Sequence, residues 1–133
     1  MQLNRRRVLY IEDHADTREL ITIVLQQKNF EVTSEETVES GVRLARAERF
    51  DLYLLDSWLP DGSGLDLCKK IREFDAATPI LFYSAAAYEG DKDLALKSGA
   101  QAYLIKPSQT SELIDLVSSL IDDANVNYQV ARS

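Results

Sequence analysis

The sequence has a single cysteine, Cys68, which excludes an internal disulfide and any multi-cysteine zinc site. It has one histidine, His14, in a loop after an acidic pair, where it reads as solvated. No apolar run approaches the ~20 residues that a membrane span needs. The opening stretch Met1–Arg7 lacks the apolar segment of a signal peptide, so a soluble, cytoplasmic domain without membrane contact is expected. Basic side chains are outnumbered, 15 against 22 acidic, for a net charge of −7. A field of that sign opposes direct nucleic-acid binding through the phosphate backbone and leaves cations as natural guests. There is no internal repeat, low-complexity segment or linker. A chain of 133 residues, 45% hydrophobic and 28% charged, suits one globular domain. Folding at that size buries roughly 70% of the surface of the unfolded chain.

Short apolar runs recur at Val8 to Ile11, Phe30 to Thr33, Leu52 to Leu55, Ile80 to Tyr83 and Tyr103 to Ile105. Their spacing of roughly 20 to 27 residues leaves room for one helix and two short loops each time. Three runs are nearly continuous hydrophobe, as strands covered on both faces should be, and the weaker second run reads as an edge strand. Helical periodicity fills the gaps: Leu20, Ile21, Ile23, Val24 and Leu25; Val38, Val42 and Ala45; Leu67, Cys68 and Ile71; Leu94 and Ala95; and Leu113, Leu116, Val117, Leu120 and Ile121. Thr110 or Ser111 is expected to cap the last helix, and Gly99 to end the fourth. Strand and helix alternating five times predict an α/β fold, a doubly wound five-stranded parallel sheet with helices on both faces. The domain is expected over 1–124, with 125–133 as a flexible C-terminal tail.

The first strand ends in Glu12-Asp13, the third in Asp56, the fourth in Ser84 and the fifth in Lys106-Pro107, whereas the second ends in an ordinary acidic loop, Ser34-Glu35-Glu36. In open parallel sheets, ligands bind outside the carboxyl ends of the strands, where strand order reverses. For the flavodoxin-like order 2-1-3-4-5, that crevice gathers Glu12, Asp13 and Asp56. Three converging carboxylates repel one another unless a cation compensates. All-oxygen donors favour magnesium, manganese or calcium over zinc, and so few protein ligands suit magnesium best. Lys106 adds a fixed positive charge and Ser84 a hydroxyl. Together these groups make a site for a phosphoryl group with Asp56 as nucleophile.

The sequence resembles the receiver domain of bacterial two-component response regulators. The resemblance runs from about Arg7 to about Asp123. It is carried by Tyr10-Ile11-Glu12-Asp13, by Leu55-Asp56-Ser57-Trp58-Leu59-Pro60-Asp61-Gly62 with Gly64-Leu65, by Tyr83-Ser84-Ala85, and by Gly99 to Pro107. It implies that Asp56 accepts a phosphoryl group from a phosphohistidine on a sensor histidine kinase or histidine phosphotransfer protein. Asp13, Asp56 and the backbone carbonyl of Trp58 would hold magnesium, with manganese as the alternative, and Glu12 would contribute directly or through a metal-bound water. Lys106 would bind the phosphoryl oxygens, Ser84 would move to hydrogen-bond them, and Tyr103 would turn inward into the vacated space. The Lys106–Pro107 bond would be cis. Small Ala85 would leave the acceptor open, and Trp58 would shield or expose it. A homodimer through the face of helix 4, strand 5 and helix 5 is implied, displaying Lys92, Lys97, Tyr103 and Asp115. Glu12 stands where an aspartate is frequent, Ser84 where threonine is, and Ser57 is more polar than the usual neighbour of the acceptor.

Two other functions are weighed against this one. A magnesium phosphohydrolase with an aspartyl intermediate needs a catalytic acid, and in the haloacid-dehalogenase type its place, two residues after the nucleophile, is taken here by Trp58. A receiver-like scaffold would bind partners independently of phosphorylation. Cys68 is expected in the core, and Gly62-Ser63-Gly64 as the turn that starts a helix. No effector domain follows the last helix, which leaves a stand-alone receiver or part of a longer regulator.

Overall fold

The computed structural model describes residues 6–132. The elements are β1 (Arg6–Ile11), α1 (Ala15–Gln26), β2 (Phe30–Glu35), α2 (Val38–Ala47), β3 (Leu52–Leu55), β4 (Trp58–Leu59), β5 (Gly62–Ser63), α3 (Gly64–Arg72), β6 (Ile80–Ser84), α4 (Glu89–Ser98), β7 (Ala102–Ile105) and α5 (Thr110–Arg132). Five of the strands form one parallel sheet in the order β2-β1-β3-β6-β7. With the two-residue hairpin β4–β5 set aside, this is the expected flavodoxin-like order, and the weak second run lies at an edge.

Alternation along each strand divides the core in two. Leu9, Ile11, Tyr53, Leu55, Ile80 and Phe82 pack on one face with Val38, Leu67, Cys68, Ile71 and Ala95 from α2, α3 and α4. Val8, Tyr10, Leu52, Leu54, Leu81 and Tyr83 pack on the other with Ile21 and Leu25 of α1 and Leu113, Val117 and Ile121 of α5. Burial on both faces is why the central strands read as unbroken hydrophobe.

Several local expectations are corrected. In α1 only Ile21 and Leu25 are fully buried, whereas Leu20 and Ile23 are about half exposed. Five clustered apolar residues exceed the stripe that one helix can turn toward a sheet. Leu94 of α4 is exposed for the same reason, beside buried Ala95. Thr110 and Ser111 lie inside the first turn of α5 rather than ahead of it. α5 runs from Thr110 to Arg132, through the segment expected as a tail. Residues 124–132 contain neither glycine nor proline, and an established helix propagates at little cost through such a stretch. Residues 1–5 of the expected domain and Ser133 of the expected tail lie outside the described residues.

Below the sheet, opposite the carboxyl edge, the Tyr53 hydroxyl donates to Asp75 Oδ2 at 2.8 Å, and the backbone N–H groups of Ala77 and Thr78 donate to Oδ1 at 3.1 and 3.0 Å. Partial burial disfavours the Asp75 charge, but the Thr78, Tyr53 and Ala77 donors outweigh it and hold the carboxyl below its ordinary range. Hydrogen bonds to a charged acceptor contribute about 1.5–3 kcal/mol. Asp75→Asn is therefore expected to lose stability of about that size at neutral pH. Because the folded carboxyl is the more acidic one, the wild-type advantage is full above the unfolded value near 4 and fades as the pH falls through the folded one. Urea melts of both proteins at pH 7 and pH 3 check this, with a smaller gap expected at the lower pH.

Candidate functional site

Glu12 follows β1 directly and is almost wholly buried, its backbone N–H held by the carbonyl of Glu35 at 3.0 Å. Asp56 follows β3, 7% exposed, with its N–H on the carbonyl of Ile11 at 3.0 Å. Adjacent parallel strands thus deliver both acids to one edge, and exposed Asp13 joins them. One carboxylate oxygen from each of Glu12, Asp13 and Asp56 lies within 4.8 Å of the others. The close approach needs Gly64 at the start of α3, where a Cβ would fall 2.2 Å from the Asp56 carbonyl oxygen and 2.8 Å from Phe82 Cε2. No side chain larger than hydrogen fits there without moving the Asp56 backbone.

Lys106 follows β7 and its N–H donates to the Ser84 carbonyl at 2.8 Å. Its ammonium donates to Glu12 Oε1, stands 3.8 Å from Asp56 Oδ1, and lies 5.3 Å from the centre of the Tyr83 ring. The two buried acids are held unequally. Burial opposes the Glu12 charge, but the Lys106 ammonium and the His14 N–H, which both donate to it, outweigh the burial, so Glu12 sits below the ordinary range. Burial pushes Asp56 up to about 6, against the relief from Lys106 and with the Glu12 carboxylate adding to the rise. Glu12 therefore takes most of the lysine's charge, and Asp56 remains the undercompensated acid. Burial and the same two carboxylates push the Tyr10 hydroxyl far above its ordinary value.

Ser84 is fully buried at the end of β6, and its Oγ accepts from the Ala86 N–H at 3.1 Å. Ala85 is exposed beside it. Trp58 is 60% exposed in the hairpin, opposite Ser63. The Lys106–Pro107 peptide bond is cis. Lys92, Lys97 and Asp115 are on the surface, but Tyr103 is half-buried and turned in, stacked on Phe82 at 5.8 Å between ring centres. Its hydroxyl donates to the Ala86 carbonyl at 2.6 Å.

Several residues at the site escape the sequence reading. Arg18 of α1 donates to the Glu12 carbonyl at 2.8 Å and to Glu36 Oε1 at 3.3 Å, so it fixes the acidic turn from behind and draws in one acid of the β2 loop. Asp61 in the hairpin turn accepts from the first N–H groups of α2, Val38 at 2.8 Å and Glu39 at 3.0 Å, and so ties the loop after Asp56 to a neighbouring helix. His14 caps α1 by accepting from the Thr17 N–H. Ser63 caps α3 in a capping box with Asp66, which makes Gly62-Ser63-Gly64 the helix-starting turn. None of these contacts leaves a periodic trace, and only the Asp-Gly and Ser-x-x-Asp spacings signal a turn and a cap.

The donor set fits a hard divalent cation: three carboxylates on one point, all oxygen, one of them open to solvent. A family model described as the response regulator receiver domain matches residues 8–118. A probable transcriptional regulatory protein of Picosynechococcus is 35% identical over 124 residues, 88% of this chain and 49% of that protein. The response regulator protein PilR of Pseudomonas aeruginosa is 35% identical over 119 residues, 90% of this chain and 27% of PilR. The chain thus spans half or less of the length of these relatives. Among solved structures, the receiver domain of the sensor histidine kinase PA1611 from Pseudomonas aeruginosa, with a magnesium ion coordinated in its active-site cleft, matches with a TM-score of 0.83 at 28% identity, covering 90% of this chain and 99% of that one.

Proposed function

The chain belongs to the response regulator receiver family of two-component systems, and from that premise we propose that it is a phosphorylation switch with Asp56 as acceptor. The observation that carries the reading is the pocket itself: three carboxylates within 4.8 Å of one another, with the Lys106 ammonium 3.8 Å from Asp56. The donor is a phosphohistidine of a sensor histidine kinase or histidine phosphotransfer protein. An Asp56 carboxylate oxygen forms the new P–O bond as the P–N bond breaks, and the imidazole nitrogen keeps the bonding pair. Asp13, Asp56 and the Trp58 carbonyl are the proposed ligands for magnesium or manganese, with Glu12 direct or through a water. Bound there, the cation would neutralise charge on the transferring group. Lys106 binds the phosphoryl oxygens and Ser84 donates its free hydroxyl proton to them. The magnesium site of the PA1611 receiver and the acidic pocket here support the same reading. Ala85 leaves the approach to the acceptor open.

A signalling module of this kind acts on itself, and its output passes to a homodimer partner through α4, β7 and α5 or to another protein. Uptake of a phosphoryl group from acetyl phosphate tests the proposal. Intact-mass measurement is expected to show an adduct on the wild type with magnesium, none in EDTA, and none on Asp56→Asn. An unmodified wild type, or an adduct of equal yield on Asp56→Asn, overturns it.

A further inference from the structure

Four hydrogen bonds join Asp56 to the loop after Ser84 without crossing the acidic pocket. The Ser57 N–H donates to Asp56 Oδ1 at 2.8 Å, and Ser57 Oγ lies 3.4 Å from Tyr103 Oη. Tyr103 Oη donates to the Ala86 carbonyl at 2.6 Å, and the Ala86 N–H donates to Ser84 Oγ at 3.1 Å. Both backbone polar groups of Ala86, a buried residue, are therefore held by the side chains of Tyr103 and Ser84. A phenol has one proton, and Tyr103 commits it to Ala86, so at the Ser57 contact the serine must donate. The direction of the chain is fixed: Ser57 O–H to Tyr103 O–H to Ala86 C=O. Hydroxyl chains of this kind strengthen one another when shielded from water, and this one lies against the stacked rings of Tyr103 and Phe82. The Ser57 link is near the long end of the hydrogen-bond range and the Tyr103 link is short. The adjustable joint is therefore the one next to the acceptor.

We propose that Ser57 is a positioning residue that couples the acceptor to the β6–α4 loop through Tyr103. Its hydroxyl holds the phenol inward, and a shift of the Asp56–Ser57 backbone is passed to Ala86 along the chain. The proposal rests on Asp56 being the acceptor. A contact between the residue after the acceptor and the tyrosine is available because position 57 is serine; an aliphatic side chain there offers no donor.

The test is a double-mutant cycle read as the affinity for beryllofluoride, which imitates the acyl phosphate, in the presence of magnesium. Trp58 fluorescence follows the titration. Ser57→Ala is expected to weaken binding about two- to tenfold, the range for one net hydrogen bond. Tyr103→Phe is expected to do the same, the double variant no worse than either, and Ser57→Thr to restore the wild-type affinity. The melting temperature of Ser57→Ala stays close to the wild type's, whereas Tyr103→Phe melts lower because the buried Ala86 carbonyl loses its donor. Should Ser57→Ala not fold, Ser57→Cys, of similar size and a poor donor, takes its place in the cycle. Losses that multiply in the double variant, or unaltered affinity in Ser57→Ala, overturn the coupling while leaving the acceptor reading intact. A wild type that binds no beryllofluoride overturns both.

Discussion

Asp56→Asn is expected to melt at a higher temperature than the wild type at pH 8 in EDTA, although it removes the proposed acceptor. The carboxyl is held at about 6 in the folded protein against 3.8 ordinarily. At pH 8 its ionisation in the folded state then costs about 3 kcal/mol more than in the unfolded chain. Asparagine has nearly the same shape, keeps an oxygen for the Ser57 N–H, and carries no charge to set against Glu12. A gain of about 2–3 kcal/mol corresponds to about 5–15 °C for a domain of this size. The pH dependence has the opposite sign to that of Asp75. A carboxyl whose folded value is raised binds its proton more tightly when folded, so the wild type recovers as the pH falls through about 6. The gap between the two proteins is expected to shrink as the pH falls from about 6 and to close below about pH 4, where both forms of the wild type become protonated at this position. Thermal melts across this range check the prediction, and a variant that melts below the wild type at pH 8 would show that Asp56 is well compensated.

On the proposed reading, the same instability would favour a cation at the site. Magnesium is expected to raise the wild-type melting temperature with concentration, as any ligand selective for the folded state does. Asp56→Asn is expected to respond more weakly, having lost one of three carboxylates. On the proposed reading, the carboxylate that destabilises the fold is also the phosphoacceptor, and burial makes it the more basic nucleophile.

Much of this was legible in the chain because the architecture writes itself as period and position. Strands covered on both faces become continuous apolar runs, which made Leu52 to Leu55 readable to the residue, and parallel crossovers deliver every strand end to one edge. Glu12, Asp13, Asp56, Ser84 and Lys106 could therefore be gathered from their places after the runs. What stayed hidden depends on contacts between distant side chains. Arg18 reaches back to the Glu12 carbonyl, Asp61 crosses to α2, and Ser57 meets Tyr103 across 46 positions. The hairpin escaped notice because two-residue strands carry no alternation. The facing of α1 was ambiguous because its apolar residues span more than one face, and burial of only Ile21 and Leu25 resolved it. The resemblance implied both that Tyr103 is displayed on the face of helix 4, strand 5 and helix 5 and that it turns inward; its stacking on Phe82 and its bond to the Ala86 carbonyl hold it inward.

Lys106→Met is expected to reverse the energetics of the pocket. Methionine keeps an unbranched stem to pack against Tyr83 and removes only the charge, which separates electrostatics from packing. The ammonium is the partner of Glu12, whose side chain is 1% exposed, and it also relieves Asp56. Removing one partner of a buried pair costs about 3–5 kcal/mol because the other charge is left uncompensated. At pH 8 the variant is expected to lose stability of that order, whereas the wild type keeps Glu12 charged and below its ordinary range. With the lysine gone, Glu12 rises above its unfolded value and Asp56, already above its own, rises further, so the deficit grows with pH and shrinks as protons replace the missing cation below about pH 5. Magnesium should restore part of the lost stability at pH 8, because it brings positive charge to the same oxygens, but phosphoryl uptake should stay low without the amine. Adding Glu12→Gln to Lys106→Met should recover most of the stability. If the double variant were no more stable than the single one, the lysine's role would lie in packing and not in its charge.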